Sequence, residues 1–151
     1  MAIWQVCFYV IDKNKKVDDE DIYYWSKEPH CVNNITFLAK CNSWSKKIIQ
    51  YGNSESTCIE LLLENGSVVE ISVRLDMRTL TKELLANIED YVVRLDGNIF
   101  YQDKIVRPSM ENIMRVITDS EAYKYCKNPL HFFDTNDSKY TNQNSERGEK
   151  A

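Results

Sequence analysis

The stretch CIELLLENGSVVEISVRL, residues 58–75, determines the expected fold of this chain. At its centre Asn65-Gly66 separates two apolar runs and favours a type I′ turn, since both central residues of that turn have φ > 0. The segment is therefore predicted to be an antiparallel hairpin with a two-residue loop. This loop length pairs Leu63 with Val68, Leu62 with Val69, and Glu60 with Ile71.

The predicted register gives the hairpin one apolar face and one mixed face. The apolar face carries Val69, Ile71, Val73 and Leu75. The mixed face carries Glu70, Ser72 and Arg74 together with three aliphatic residues, Ile59, Leu61 and Leu63. Aliphatic side chains grouped on an outer face indicate an interaction surface. We therefore expect these three residues to form a sheet-face interface with a terminal segment, a second copy in a homodimer, or another partner.

The segments before the hairpin predict an interior strand, a helix and one ambiguous element. Residues 3–11, IWQVCFYVI, are apolar in both alternating sets, which is typical of an interior strand. Residues 32–41 are predicted to form a short helix capped by Asn33 or Asn34. Residues 43–51 fit a helix or a strand, and the poor helix formers at their start favour the strand.

The segments after the hairpin predict mainly helices. Thr81 is the expected N-cap of a helix that Gly97 closes, and Ser109 caps a second helix. Between them, residues 98–106, NIFYQDKIV, are predicted to be a strand with a break at Asp103-Lys104. Ser120 starts a further short helical turn.

Together these elements predict an α+β domain over residues 1–133. Its sheet is expected to be mainly antiparallel, with four to five strands and about three helices packed mostly on one face. If residues 43–51 were helical, the element order would be the ferredoxin-like arrangement. Residues 134–151 are polar and poor in aromatic side chains, and they are predicted to be a disordered tail.

Bulk composition argues against several classes of function. The 151 residues carry a formal charge of −4, so a general nucleic-acid or membrane binder, which needs a basic face, is not expected. The N-terminus lacks the features of a signal peptide, and its apolar run is too short to span a bilayer. We expect a cytoplasmic protein whose five cysteines are reduced.

No motif for catalysis, metal binding or cofactor binding stands out. His30 adjoins Cys31, but neighbouring side chains usually diverge, and His131 is expected to be a packed or surface residue. The cysteines and histidines lack the spacing of metal ligands. The four glycines are isolated, so no phosphate-binding loop is expected. We therefore predict that the protein is not an enzyme and binds neither a metal nor a cofactor.

The most distinctive surface candidate is VDDEDIYYW, residues 17–25. Four acids precede three aromatic residues: Asp18, Asp19, Glu20 and Asp21, then Tyr23, Tyr24 and Trp25. Tyrosine and tryptophan are enriched at interface centres, and acids steer a basic partner. The stretch is therefore predicted to bind a protein partner. The alternative is that Ile22, Tyr23 or Trp25 closes the core while the acids stay in water.

A second candidate is RLDMR, residues 74–78. On a continuing strand, Arg74, Asp76 and Arg78 would share a face and could contact an anion or an acidic partner. The alternative is a self-neutralising row of charges on a solvated face. Glu60, on the apolar face of the predicted register, would either reach water at the sheet rim or be a buried, protonated carboxylate.

The hairpin, the following helix and strand, and the closing SEAYKYCKNPLHFF, residues 120–133, resemble the small cytosolic α+β immunity proteins of bacterial polymorphic-toxin and contact-dependent inhibition loci. The resemblance implies a non-enzymatic protein that docks on one cognate toxin and blocks it. Many such toxins are basic nucleases, which an acidic surface would complement. The alternative is a small-molecule-binding regulatory domain that dimerises through the sheet face, with Arg74 and Arg78 holding an anion.

Overall fold

The computed structural model describes residues 1–126, and within them the chain folds as one seven-stranded antiparallel sheet with three helices. The strands are β1 (Gln5–Asp12), β2 (Lys40–Cys41), β3 (Ile48–Gly52), β4 (Cys58–Glu64), β5 (Ser67–Asp76), β6 (Gly97–Tyr101) and β7 (Lys104–Val106). The helices are α1 (Lys82–Arg94), α2 (Met110–Thr118) and α3 (Glu121–Tyr125). The predicted α+β class is confirmed. The predicted domain end at residue 133 and the tail 134–151 lie outside the described residues.

The strand order in the sheet is β2-β3-β4-β5-β1-β6-β7. The interior position predicted for the first strand is confirmed, because β1 lies between β5 and β6 and buries both Val10 and Ile11. The expected four to five strands are too few for the described part of the chain. The additional strands β2 and β7 lie at the two edges and span two and three residues, too few for an alternating pattern to appear.

The structure also decides the two uncertain segments before the hairpin. Residues 48–52 form β3, so the strand favoured there is confirmed and the ferredoxin-like variant is wrong. The predicted helix over residues 32–41 is wrong, because only turns and the short β2 occur there. The hydroxyls of Tyr91 and Tyr51 donate to the carbonyls of Val32 (2.8 Å) and Asn33 (3.3 Å), which ties this backbone to the core in a non-helical form.

The first residue of each helix was predicted correctly from its N-cap side chain. The side chains of Thr81, Ser109 and Ser120 each accept a hydrogen bond from a backbone N–H in the first turn of the helix that follows, as predicted. The end of α1 differs from the prediction. The left-handed residue is Asp96 (φ 62°), while Gly97 already belongs to β6.

The hairpin forms with the predicted turn but with a different register. Asn65 and Gly66 have φ values of 53° and 81°, as a type I′ turn requires. Beyond the Leu63–Val68 pair, a β-bulge leaves Val69 without a partner on β4. All pairs further along shift by one residue, so that Glu60 faces Ser72 and Leu61 faces Ile71.

This single extra residue exchanges the two faces of β4. The predicted outward position of Ile59, Leu61 and Leu63 is therefore wrong. Ile59 and Leu61 are completely buried in the main core, and Leu63 is half-buried against it. Glu60 moves in the opposite direction, away from the apolar face. The aliphatic patch predicted for the outer face therefore resulted from assuming a hairpin register without the bulge.

The sheet consequently has a helix face and an outer face. Side chains of α1 and α2 share the main core with one alternating set from the strands, which confirms helices packed mainly on one face. The helix face includes Val6, Phe8, Val10, Ile59, Leu61, Ile71, Val73 and Leu75. The outer face includes Cys7, Tyr9, Gln50, Cys58, Glu60, Leu62, Glu70, Ser72 and Arg74. Across residues 1–126, no helix has the length and apolar character needed to cross a bilayer.

Candidate functional site

Three connections meet at one end of the sheet, which we call the hairpin end. Because the strands are antiparallel, β1 and β4 finish at this end, while β3 and β5 begin there. The connections are residues 13–25 (the acidic loop), residues 42–47 (the Trp44 loop) and the Asn65-Gly66 turn. The acids and aromatics predicted as a binding stretch all lie in the acidic loop, so the fold places them beside the tip of the hairpin.

The acidic loop is anchored at its end by Trp25. This side chain is buried, and its indole N–H donates to the carbonyl of Val10 (2.9 Å). Its backbone N–H donates to the carbonyl of Val69 (2.8 Å), the residue that the bulge leaves unpaired on β4. Ile22 packs with Ile11 and Phe100 in a small second core. Trp25 and Ile22 thus close the core, as the alternative interpretation expected.

Tyr23 and Tyr24 remain accessible between these anchors. Their exposed fractions are 39% and 38%. Tyr23 packs on Tyr9, with ring centroids 4.2 Å apart, and meets the edge of Phe100. The hydroxyl of Tyr24 donates to Glu64 Oε1 at 3.4 Å, which connects the loop to the end of β4. Both rings are held in place by the sheet and still present a face to solvent.

The acids of the loop face outward. Asp18, Glu20 and Asp21 are exposed, and Asp19 Oδ2 accepts a hydrogen bond from the backbone N–H of Lys16 (2.8 Å). Asp21 pairs with Lys15 at 3.1 Å, and the hydrogen bond from this lysine lowers the pKa of Asp21. Among the described ion pairs, none neutralises the other three acids of the stretch. The loop carries four acids and three lysines, and because Lys13 pairs with Asp96 and Lys15 with Asp21, its remaining unpaired charges, from Asp18, Asp19, Glu20 and Lys16, are mainly negative.

Trp44 adds an aromatic residue that the sequence reasoning missed. It is 77% exposed, the highest value among the large hydrophobic side chains described. The hydroxyl of Ser43 lies within hydrogen-bonding distance of the carbonyl oxygens of Ser45 and Ile48, the latter at 2.7 Å. The hydroxyl oxygen of Ser45 accepts a hydrogen bond from the backbone N–H of Lys47 at 3.1 Å. These short-range bonds hold the loop while the indole projects outward. The available signal was a tryptophan surrounded by serines and lysines.

A cleft of about 500 Å³ lies between the Trp44 loop and the hairpin. Its walls include the lysines Lys46 and Lys47 on one side and Glu64 with the Asn65-Gly66 turn on the other. Neither lysine forms an ion pair with another of residues 1–126. The hairpin end therefore combines a negative loop, a small positive patch and three exposed aromatic rings.

Within RLDMR, Asp76 and Arg78 pair directly with each other, whereas Arg74 pairs with Glu60. Asp76 is fully buried and accepts hydrogen bonds from Arg78 Nε (3.0 Å) and Nη2 (2.9 Å) and from the hydroxyl of Ser56 (2.9 Å). Burial raises the pKa of Asp76, but these hydrogen bonds outweigh it and leave the pKa below its ordinary value. Arg78 also stacks on Trp4, 3.8 Å from the ring centroid. Arg74 lies two residues before Asp76 on the same face of β5, and its Nη2 is 3.5 Å from Glu60 Oε1.

Two cysteines flank Arg74 on the outer face. Cys7 on β1 and Cys58 on β4 are both its register partners. Burial raises the pKa of Cys7, and it raises that of Cys58 to about 11. At neutral pH both are therefore protonated thiols, which are poor nucleophiles. In the described part of the chain, no group of three or more potential metal ligands comes together.

The remaining predicted residues add little chemistry to this surface. His30 and Cys31 are both exposed, and Cys31 adopts a positive φ of 63°. His131 lies outside the described residues. Comparison of the chain with protein families, with curated proteins and with solved structures found no match. A functional assignment must therefore come from the side chains described above.

Proposed function

We propose that this protein is a non-enzymatic binding protein that neutralises one protein partner, like the immunity proteins it resembles. The hairpin end would be its contact surface. The observation that carries the proposal is that Tyr23 and Tyr24 in the acidic loop and Trp44 in the Trp44 loop are all exposed at the same end of the sheet. Rigid, exposed aromatic side chains of this kind contribute most of the binding energy at protein interfaces.

The charge of the loop supports a basic partner, such as a nuclease-type toxin. Unpaired acids around an aromatic centre attract a positive surface over a distance of about one Debye length. They raise the association rate more than they raise the final affinity. The Lys46-Lys47 patch would restrict the partner further, because it favours an acidic residue at one side of the contact.

The loops at the hairpin end are already ordered and do not need to fold on binding. Trp25 and Ile22 fix the acidic loop, and the serine hydrogen bonds fix the Trp44 loop. Side chains that are already ordered lose less conformational entropy when they bind. The proposed surface therefore combines exposed aromatic side chains, acidic side chains and loops that are already ordered.

The observations behind the alternative regulatory function are weaker in the folded protein. Ile59 and Leu61, which suggested dimerisation through the sheet, are buried. Arg78 is bound to Asp76, and Arg74 lies beside Glu60, so neither guanidinium is a free anion site. We therefore retain the binding protein as the single proposal.

Reversal of the loop charge tests the proposal. Changing Asp18, Asp19 and Asp21 to lysine is expected to slow association with the partner by about tenfold or more at low salt, because steering is lost. The partner would be captured with the full chain from cells that make this protein, and then purified. Association and dissociation rates would be measured at low and physiological salt by surface plasmon resonance.

The matched control reverses three acids on the helices, Glu83, Glu89 and Glu111. It changes the net charge by the same amount but leaves the hairpin end intact. We expect its association rate to stay within about twofold of the wild-type rate. Equal slowing in both variants would assign the effect to net charge alone. An unchanged rate in the loop variant would remove the acidic loop from the contact surface.

Trp44→Ala tests the aromatic part of the same surface. Because Trp44 is exposed, the free energy of unfolding should change by no more than about 0.5 kcal/mol. The affinity for the purified partner should fall about tenfold or more, mainly through faster dissociation. Val93→Ala, at an exposed position on α1, is the control and should change neither quantity. Unaltered dissociation of the Trp44→Ala complex would place this residue outside the interface.

A further inference from the structure

The outer face carries a buried acid whose hydrogen bonding is incomplete. The side chain of Glu60 is only 10% exposed, and its Oε1 lies 3.5 Å from Arg74 Nη2. Its Oε2 is buried and has no hydrogen-bond partner among the residues described. A buried polar atom without a partner costs free energy, so it calls for a physical explanation.

Arg74 does not complete the bonding of this carboxylate. Its Nη1 donates to the carbonyl of Ser54 at 3.2 Å, which turns part of the guanidinium away from Glu60. The remaining contact of 3.5 Å is longer than the usual range for a charge-assisted hydrogen bond, about 2.7–2.9 Å. Glu60 therefore keeps unused capacity to accept hydrogen bonds.

A second acid stands close to Glu60 on the neighbouring strand. Glu60 faces Ser72 and Leu62 faces Glu70, so the two glutamates are diagonal neighbours, a relation that puts their backbones about 7–8 Å apart. Glu70 is half-exposed, and burial raises its pKa. It forms no ion pair within residues 1–126. The hydroxyl-bearing Ser72 lies beside both acids on the same face.

We propose that Glu60, Ser72 and Glu70 form a subsite for a cationic side chain of the partner protein, with arginine as the preferred residue. The planar guanidinium carries five donors and can bridge two carboxylates, whereas a lysine ammonium acts as a point charge. The terminal torsion of a glutamate is broad, so Glu60 can turn one oxygen to the incoming donor and the other to Arg74. An anion is disfavoured here because two carboxylates face one arginine.

The inference rests on the proposed protein-binding function and adds the chemistry of one anchor. The acidic loop and this subsite are continuous, since Tyr23 of the loop packs on Tyr9, the residue paired with Ser72 on β1. A partner drawn to the acidic loop by its positive charge would therefore present basic side chains to the same face. This continuity with the proposed contact surface supports a side chain of the protein partner as the occupant.

A small probe tests the subsite without the partner. N-acetyl-arginine amide would be titrated into the full-length, ¹⁵N-labelled protein, with N-acetyl-citrulline amide as its neutral isostere. We expect saturable shifts of the amide signals of Glu60, Ser72 and Glu70 with the arginine probe alone. N-acetyl-lysine amide should bind more weakly. Equal shifts with arginine and citrulline, or no saturable shifts at these residues, would overturn the proposal.

Charge-neutralising variants then assign the effect. Glu70→Gln is expected to weaken binding of the arginine probe about tenfold, and Glu60→Gln should do the same. Glu89→Gln on α1 makes an equal change of net charge and should leave the affinity unchanged. Probe binding that survives both outer-face variants would refute the subsite. If the probe fails to bind while the reversed loop still slows association, this inference alone is wrong.

Discussion

Leu61→Ala is expected to lower the free energy of unfolding by about 3–4 kcal/mol, as is typical when a fully buried leucine is truncated. Leu61 is completely buried in the core between the sheet and the helices. Its truncation would remove apolar burial and leave a cavity that the paired strands β3 and β5 cannot close. The measurement is chemical denaturation followed by circular dichroism.

The neighbouring residue provides the matched control. Leu62 loses the same atoms in Leu62→Ala but lies half-buried on the outer face, so about 1 kcal/mol is expected. A hairpin without the bulge would reverse the two costs, because Leu61 would then face outward. A larger loss for Leu62→Ala would therefore contradict the register described here. It would also restore the predicted sheet-face interface.

Asp76→Ala is expected to lower the free energy of unfolding by about 3 kcal/mol at neutral pH. The change removes the acceptor for Arg78, Ser56 and the backbone N–H of residue 78, all within 3.0 Å. Hydrogen bonds to a charged acceptor contribute about 1.5–3 kcal/mol each, but they are not additive. The side chain of Arg78 is 48% exposed and can return to water, which limits the loss. Asp90→Ala removes an exposed i,i+4 pair and should cost about 0.5 kcal/mol or less.

The contribution of Asp76 also has a definite pH dependence. Its pKa in the folded protein lies below the ordinary value of 3.8, so folding favours the ionised form. The stabilisation is complete above pH 3.8 and is lost as the pH falls through the folded pKa. The difference in unfolding free energy between wild type and Asp76→Ala should therefore be constant from pH 5 to 7 and shrink below pH 4. A difference that grows in acid would contradict the role of Asp76 as an ionised acceptor.

The candidate surface was partly accessible from sequence. The acids and tyrosines of the acidic loop were identified from their composition, because four consecutive acids cannot enter a core unpaired. Composition could not decide which aromatic ring faces inward. Trp25 is buried because its indole reaches the carbonyl of Val10, a contact across 15 positions. Trp44 was missed because a single tryptophan in a polar segment does not reveal whether its ring faces the core or solvent, and only the fold shows that it is exposed.

The amino-acid sequence by itself determined the features that obey local rules. The type I′ turn at Asn65-Gly66, the caps at Thr81 and Ser109, and the interior apolar strand β1 each follow from a few adjacent residues. A turn needs only residues that tolerate φ > 0, and a cap needs only one side-chain oxygen. These elements were sufficient to specify the α+β class.

Only the tertiary structure decided which side chains of β4 face the helices. The bulge leaves Val69 without a partner on β4. The carbonyl of Val69 instead accepts a hydrogen bond from the backbone N–H of Trp25 at 2.8 Å. The backbone N–H of the preceding Val68 donates to Glu28 Oε1, also at 2.8 Å. Trp25 lies more than 40 positions before Val69 in the sequence, and Glu28 lies 40 positions before Val68. The backbone groups at the bulge are satisfied by residues far away in the sequence, so the pattern of residues within the hairpin cannot reveal the bulge. The bulge buries Leu61 and turns Glu60 to the outer face.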